Sequence, residues 1–129
     1  MAARRRRSFV AVVEDDVGVR TAVLGLLQSC DIVARGFASA EQFLRFPQHS
    51  RAVCLILDMR LPGMTGLQLS HALLSDGLHI PTIFITAEND TEGRLRRQLL
   101  QAGALEVLGK PFDTERLVAL TEAALARRG

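Results

Sequence analysis

Glu14, Asp15 and Asp16 stand side by side directly after a run of apolar residues. Asp58 follows a second apolar run, Val53-Cys54-Leu55-Ile56-Leu57. Thr86 closes a third, and Lys110 comes just after a fourth. Carboxylates brought close together repel one another and make a hard, oxygen-rich site. Such a site suits Mg2+, which keeps several waters and takes one or two carboxylates plus a phosphoryl oxygen. A carboxylate is also a nucleophile toward phosphorus, giving an aspartyl phosphate. Phosphoryl transfer asks mainly for positioning and charge neutralisation, and a metal, an ammonium group and a hydroxyl donor supply both. Lys110 is the only lysine, against 15 arginines. Its compact point charge is not interchangeable with a guanidinium. One lysine has to fall somewhere, so its position supports the reading without carrying it.

These groups meet only if the fold brings them to one edge. Residues 9–13, 53–57, 81–86 and 105–108 read as strands, with a weaker one at 32–37. Amphipathic stretches alternate with them. Residues 17–29 carry Val19, Val23, Leu26 and Leu27 on one helical face. Ser39 is placed to cap a short helix with Phe43, Leu44 and Phe46, ended by Pro47. A third helix covers 67–74. Asp90 or Thr91 is expected to cap a fourth through Ala102, stopped by Gly103, and a last one covers 113–127. Apolar strands without polar alternation mean a sheet covered on both faces. Alternating strands and helices joined by short loops mean parallel strands with right-handed crossovers. The expected fold is α/β, a three-layer sandwich of five parallel strands and five helices. In an open sheet of this kind, ligands sit beyond the carboxyl ends of the strands. All the groups named above fall at those ends.

The segments Val12-Val13-Glu14-Asp15-Asp16, Leu55 to Gly66 (LILDMRLPGMTG), Phe84-Ile85-Thr86-Ala87 and Gly109-Lys110-Pro111-Phe112-Asp113 resemble the receiver domain of two-component response regulators. The likeness runs from about Phe9 into the last helix. It implies a flavodoxin-like fold of chemotaxis-regulator type with strand order 2-1-3-4-5. It implies Asp58 as phosphoacceptor, with a sensor histidine kinase as phosphodonor. Mg2+ would be held by Asp15, by Asp58, by Glu14 through water, and by the Arg60 backbone carbonyl. Thr86 would hydrogen-bond the phosphoryl group and Lys110 would pair with its oxygens, with a cis bond to Pro111. Pro62 and Gly66 would shape the loop after the acceptor. One departure stands out: the family usually has an aromatic ring three residues before the lysine, where this chain has Val107. The coupling of threonine shift to ring rotation is therefore in question, while the phosphorylation chemistry does not need the ring.

Other readings carry less. Asp16 serves better as a helix N-cap than as a third ligand. The Arg60 side chain is expected at the surface, and Glu88 reads equally as a surface acid or a modifier of access. His49, His71 and His79 are scattered and get no role. Gly103 to Lys110 fails as a phosphate-binding loop, because five residues separate its glycines and Pro111 stands where Ser or Thr is required. A flavin-binding relative would need a Ser/Thr-rich loop where this chain has acids. An aspartate-nucleophile phosphatase would carry a second Asp two residues after the first, and Arg60 is there. A pseudo-receiver that binds a partner without phosphorylation is the alternative, kept open by Val107. The expected protein is a switch that controls an output partner or domain, and not a turnover enzyme.

The chain has 129 residues, 48% of them apolar, enough for one domain with a sizeable core. Residues 1–8 read as a disordered basic tail holding Arg4 to Arg7, and 9–129 as the receiver. Without those four arginines the remaining 12 basic and 14 acidic residues leave a slightly acidic body. That balance and the lack of Trp and Tyr argue against direct nucleic-acid contact by this domain. From Phe9 only five apolar residues run before Glu14, too few for an export signal or a membrane span. A cytoplasmic protein without membrane contact is expected. Cys54 reads as a small buried hydrophobe, and the spacing to Cys30 fits no zinc or redox motif. No helix-turn-helix segment follows Arg128, so the chain reads as a lone receiver or part of a longer regulator. An output or homodimer face is expected between Thr91 and Arg127, where Arg94, Arg96 and Arg97 could touch a partner and Glu92–Arg96 would form an i,i+4 pair.

Overall fold

The computed structural model describes residues 8–87 and 93–128. Five strands are present: β1 (Phe9–Val13), β2 (Ala34–Phe37), β3 (Ala52–Asp58), β4 (Thr82–Ala87) and β5 (Glu106–Lys110). Between and after them lie α1 (Val17–Ser29), α2 (Ala40–Arg45), α3 (Gly66–Ser75), α4 (Arg94–Gln101) and α5 (Thr114–Arg128), with a short 3-10 turn at His49–Arg51. The sheet is parallel throughout and ordered β2-β1-β3-β4-β5, as expected.

The unbroken apolar runs explain why β1 and β3 lie inside. Every residue of both is buried. Successive side chains of a strand point to opposite faces, and the core divides accordingly. Phe9, Ala11, Val13, Leu55, Leu57, Phe84 and Val107 pack against Phe43 of α2, Leu69 and Leu73 of α3 and Leu99 of α4. Val10, Val12, Cys54, Ile56, Ile83, Ile85 and Leu108 pack against Val23 and Leu27 of α1 and Leu117 and Ala124 of α5. Each Val, Leu, Ile or Phe side chain sealed in this way contributes about 1.5–3 kcal/mol of transfer free energy. Cys30 and Cys54 are free thiols. Burial pushes the Cys54 thiol up to about 12.

Local chemistry sets where the helices begin. Asp16 Oδ1 accepts from Val19 N at 3.0 Å, so Asp16 is the cap of α1 that the sequence suggests. Ser39 Oγ accepts from Gln42 N at 3.1 Å, and Gln42 Oε1 accepts from Ala38 N at 3.0 Å. Asp113 Oδ1 accepts from Glu115 N at 2.9 Å at the start of α5. The fourth helix departs from expectation. Its N-cap is Gly93, at φ 94°, and it runs from Arg94 rather than from Asp90 or Thr91. Those two residues, the pairing partner Glu92, the surface acid Glu88 and the Arg4 to Arg7 run lie outside the described residues.

Candidate functional site

Register decides which strand ends share a site. Val13 of β1 pairs with Leu57 of β3, so Glu14 emerges beside Asp58. Asp58 pairs with Ile85 of β4, one residue before Thr86. Thr86 pairs with Gly109, and Ala87 with Lys110. Four separated segments thus deliver Glu14, Asp15, Asp58, Thr86 and Lys110 to one edge of one sheet.

Asp58 ends β3 with 6% of its surface exposed, and Glu14 has 4%. Lys110 Nζ lies between them, 2.9 Å from Asp58 Oδ2 and 2.9 Å from Glu14 Oε1. The other oxygen of each acid receives a backbone N–H: Arg60 N donates to Asp58 Oδ1 at 2.9 Å, and Asp16 N to Glu14 Oε2 at 3.1 Å. Arg20 Nη1 donates to the Glu14 carbonyl at 2.7 Å and ties α1 to this turn. Thr86 is buried. Asp15 is exposed at the rim, and single carboxylate oxygens of Glu14, Asp15 and Asp58 all lie within 4.8 Å of one another. The Arg60 side chain is exposed, as expected.

The electrostatics are unevenly settled. Burial, helped by the acid neighbour Asp58, outweighs the Lys110 bond and lifts the Glu14 pKa from 4.5 to about 7. Burial also opposes the Lys110 charge, but its bonds to Glu14 and Asp58 prevail and its pKa is raised. One ammonium shared by two buried acids leaves excess negative charge at the edge. A divalent cation among the three carboxylates would neutralise it. The donor set fits a hard ion: it is all oxygen, and the opposed ligands of an octahedral Mg2+ stand about 4.2 Å apart.

The loop after Asp58 is fixed at both ends. Met59 N donates to the Ile85 carbonyl at 2.9 Å. Gly66 sits where a Cβ would come within 2.5 Å of the Asp58 carbonyl oxygen, so α3 starts against the backbone of Asp58. Thr65 and Gln68 close a capping box there, Gln68 N to Thr65 Oγ1 at 3.1 Å and Thr65 N to Gln68 Oε1 at 2.9 Å. The Lys110–Pro111 bond is cis.

The family model for the response regulator receiver domain matches residues 10–122. This chain belongs to that family. The receiver is 36% identical to nodulation protein W of Bradyrhizobium diazoefficiens over 121 residues, which are 94% of this chain and 52% of that protein. It is 36% identical to the transcriptional regulatory protein TdiR of Thauera aromatica over 119 residues, 92% of this chain and 52% of that one. Among solved structures, a response regulator receiver protein from Burkholderia phymatum superposes with a TM-score of 0.78 at 36% identity, covering 92% of this chain and 95% of that chain. The receiver spans about half the length of the curated relatives it matches. It is a signalling domain of two-component systems and not a turnover enzyme. Among the described residues no helix is long and apolar enough to cross a membrane.

Three features of the receiver escaped the sequence. Val107 is 4% exposed and already packed in the core against Phe84 and Leu99. Arg96 Nη2 donates to Glu106 Oε1 at 2.7 Å and Arg116 Nη2 donates to Glu106 Oε2 at 2.8 Å. Glu41 reaches the loop after Asp58 from α2: Met64 N donates to its Oε2 at 2.8 Å. No local pattern marks either contact, because each joins segments that only the fold brings together.

Proposed function

We propose that this domain accepts a phosphoryl group on Asp58 from a sensor histidine kinase in the cytoplasm and changes conformation to control an output. The observation that carries the reading is the Lys110 ammonium held between Asp58 and Glu14 at a strand end that also gathers Asp15 and Thr86. Asp58 is the nucleophile: a carboxylate oxygen bonds to phosphorus as the bond from phosphorus to the donor's imidazole nitrogen breaks, and that nitrogen takes a proton. Lys110 neutralises phosphoryl oxygens, and the Thr86 hydroxyl donates to one of them. Glu14, Asp15, Asp58 and the Arg60 carbonyl would hold Mg2+, which would supply charge neutralisation at the phosphoryl oxygens.

The output surface lies on α4, β5 and α5, where Arg94 and Arg97 are exposed to a partner or to a second copy while Arg96 is tied to Glu106. Because Val107 fills its place in the core, the output step in this domain does not run through an aromatic ring turning inward there. The domain occupies residues 9–129, with residues 1–8 as a basic tail.

Intact-protein mass after incubation with acetyl phosphate tests the reading, with and without Mg2+, on the wild type and Asp58→Asn. One added phosphoryl group that requires Mg2+ and is lost in the variant is the expected result. No gain, together with no Mg2+ binding, would replace this reading with a pseudo-receiver acting through protein contacts alone.

A further inference from the structure

Between its two fixed ends, the loop at residues 59–65 is gripped from outside by Glu41. The carboxylate accepts the Met64 N–H at 2.8 Å across 23 residues of sequence. Gly63 lies directly beneath it at φ 75°, where an added Cβ would come within 2.5 Å of Glu41 Oε2. A bare glycine backbone is therefore what lets the carboxylate approach. The Met64 N–H and the residue's own N–H hold the Glu41 carboxyl below the ordinary 4.5, so it is charged at neutral pH and the bond is charge-assisted. The anchor itself is firm. Ser39 Oγ caps α2 at the Gln42 N–H, Gln42 Oε1 accepts from Ala38 N, and Ala40 and Phe43 on either side of Glu41 have no exposed surface.

We propose that Glu41 is a positioning residue for the phosphorylation site, holding the loop after Asp58 in the conformation that presents the Arg60 carbonyl. This rests on the reading of Asp58 and its neighbours given above. Glu41 touches no reacting atom. It acts through the Met64 backbone, and the loop conveys the constraint to Arg60, whose own N–H is bonded to Asp58 Oδ1. Outer contacts that orient metal ligands commonly change metal affinity by about tenfold or more when removed.

The test compares wild type, Glu41→Ala, Glu41→Gln and Gly63→Ala. Glutamine keeps an oxygen that can accept the Met64 N–H. Gly63→Ala breaks the same contact from the loop side, so a poorly folding Glu41→Ala does not leave the question open. Two quantities are read. One is hydrogen exchange of the Met64 amide in Mg2+-free protein, and the other is the Mg2+ concentration giving half-maximal phosphorylation by acetyl phosphate. In Glu41→Ala and Gly63→Ala, Met64 exchange is expected to speed up while core amides such as Leu55 keep theirs, and half-saturating Mg2+ to rise about tenfold. Glu41→Gln is expected to restore both to within about threefold of wild type, the loss left by trading a charge-assisted bond for a neutral one. Unchanged Met64 exchange or unchanged half-saturating Mg2+ in Glu41→Ala overturns the proposal. Absence of phosphorylation in the wild type would defeat the reading of Asp58 instead, and the exchange measurement would still decide whether Glu41 holds the loop.

Discussion

Strand β5 carries opposite charge arrangements at its two ends. At the first residue, the acid Glu106 is held between the bases Arg96 and Arg116. At the last, the base Lys110 is held between the acids Glu14 and Asp58. The first cluster is settled. Burial alone would raise the Glu106 pKa, but the Val107 N–H, Arg96 and Arg116 outweigh it and hold the carboxyl below the ordinary range. The second is not, since Lys110 cannot satisfy two buried acids and Glu14 rises to about 7. Salt bridges alone therefore do not distinguish a structural cluster from a reactive one. The count of charges on each side does.

The largest effect expected from breaking this pairing is at Lys110. Lys110→Ala leaves two buried acids facing each other and removes the cation bonded to Asp58. Acetyl phosphate labelling should slow by about 10²-fold or more, the usual loss on removing one oxyanion partner. Glu106→Ala should leave labelling at the wild-type rate. It leaves two partly exposed arginines without their acid and should lower stability in urea by about 1 kcal/mol. Equal labelling defects in the two variants would dissolve the contrast.

The pH dependence sharpens it, because the two acids act with opposite sign. Glu14 binds its proton more tightly in the folded state. The stability it contributes is whole below 4.5 and drains away as pH rises through about 7. Glu106 holds its proton less tightly when folded. Its contribution is present above 4.5 and is lost as pH falls through its lowered value. In chelator-treated protein, urea midpoints should decline between pH 4.5 and 7, with a slope no greater than about 1.4 kcal/mol per pH unit for this one group. Glu14→Gln should flatten that decline. A decline that persists in the variant assigns it to another group. The smallest effect belongs to Arg116, whose side chain is 52% exposed. Arg116→Ala should shift stability by no more than about 0.5 kcal/mol, since Arg96 still holds Glu106.

The parts legible in the sequence share a physical reason. β1 and β3 are unbroken apolar runs, so their burial on both faces and the sheet's parallel winding could be inferred. The caps at Asp16 and Ser39 act within three residues. The acids at strand ends follow from where a wound sheet exposes its polar groups. What the sequence hid is non-local or depends on backbone conformation. Gly93 opens α4 in a left-handed conformation that no side-chain pattern announces. Arg96 meets Glu106 on the following strand, ten residues away. Glu41 looks like an ordinary acid in a first helical turn until the fold lays residue 64 against it.

The two cysteines sit in very different settings. A thiol whose pKa is about 12 is almost never a thiolate at neutral pH, and Cys54 is also wholly enclosed in β3. Cys30 lies partly exposed at the far end of α1, whose 13 residues span roughly 20 Å from the rim of the site. A maleimide dye or nitroxide applied to the native protein should thus attach at one address without mutagenesis. It would place a spectroscopic reporter on the opposite end of the molecule from Asp58, clear of the carboxylates it is meant to watch.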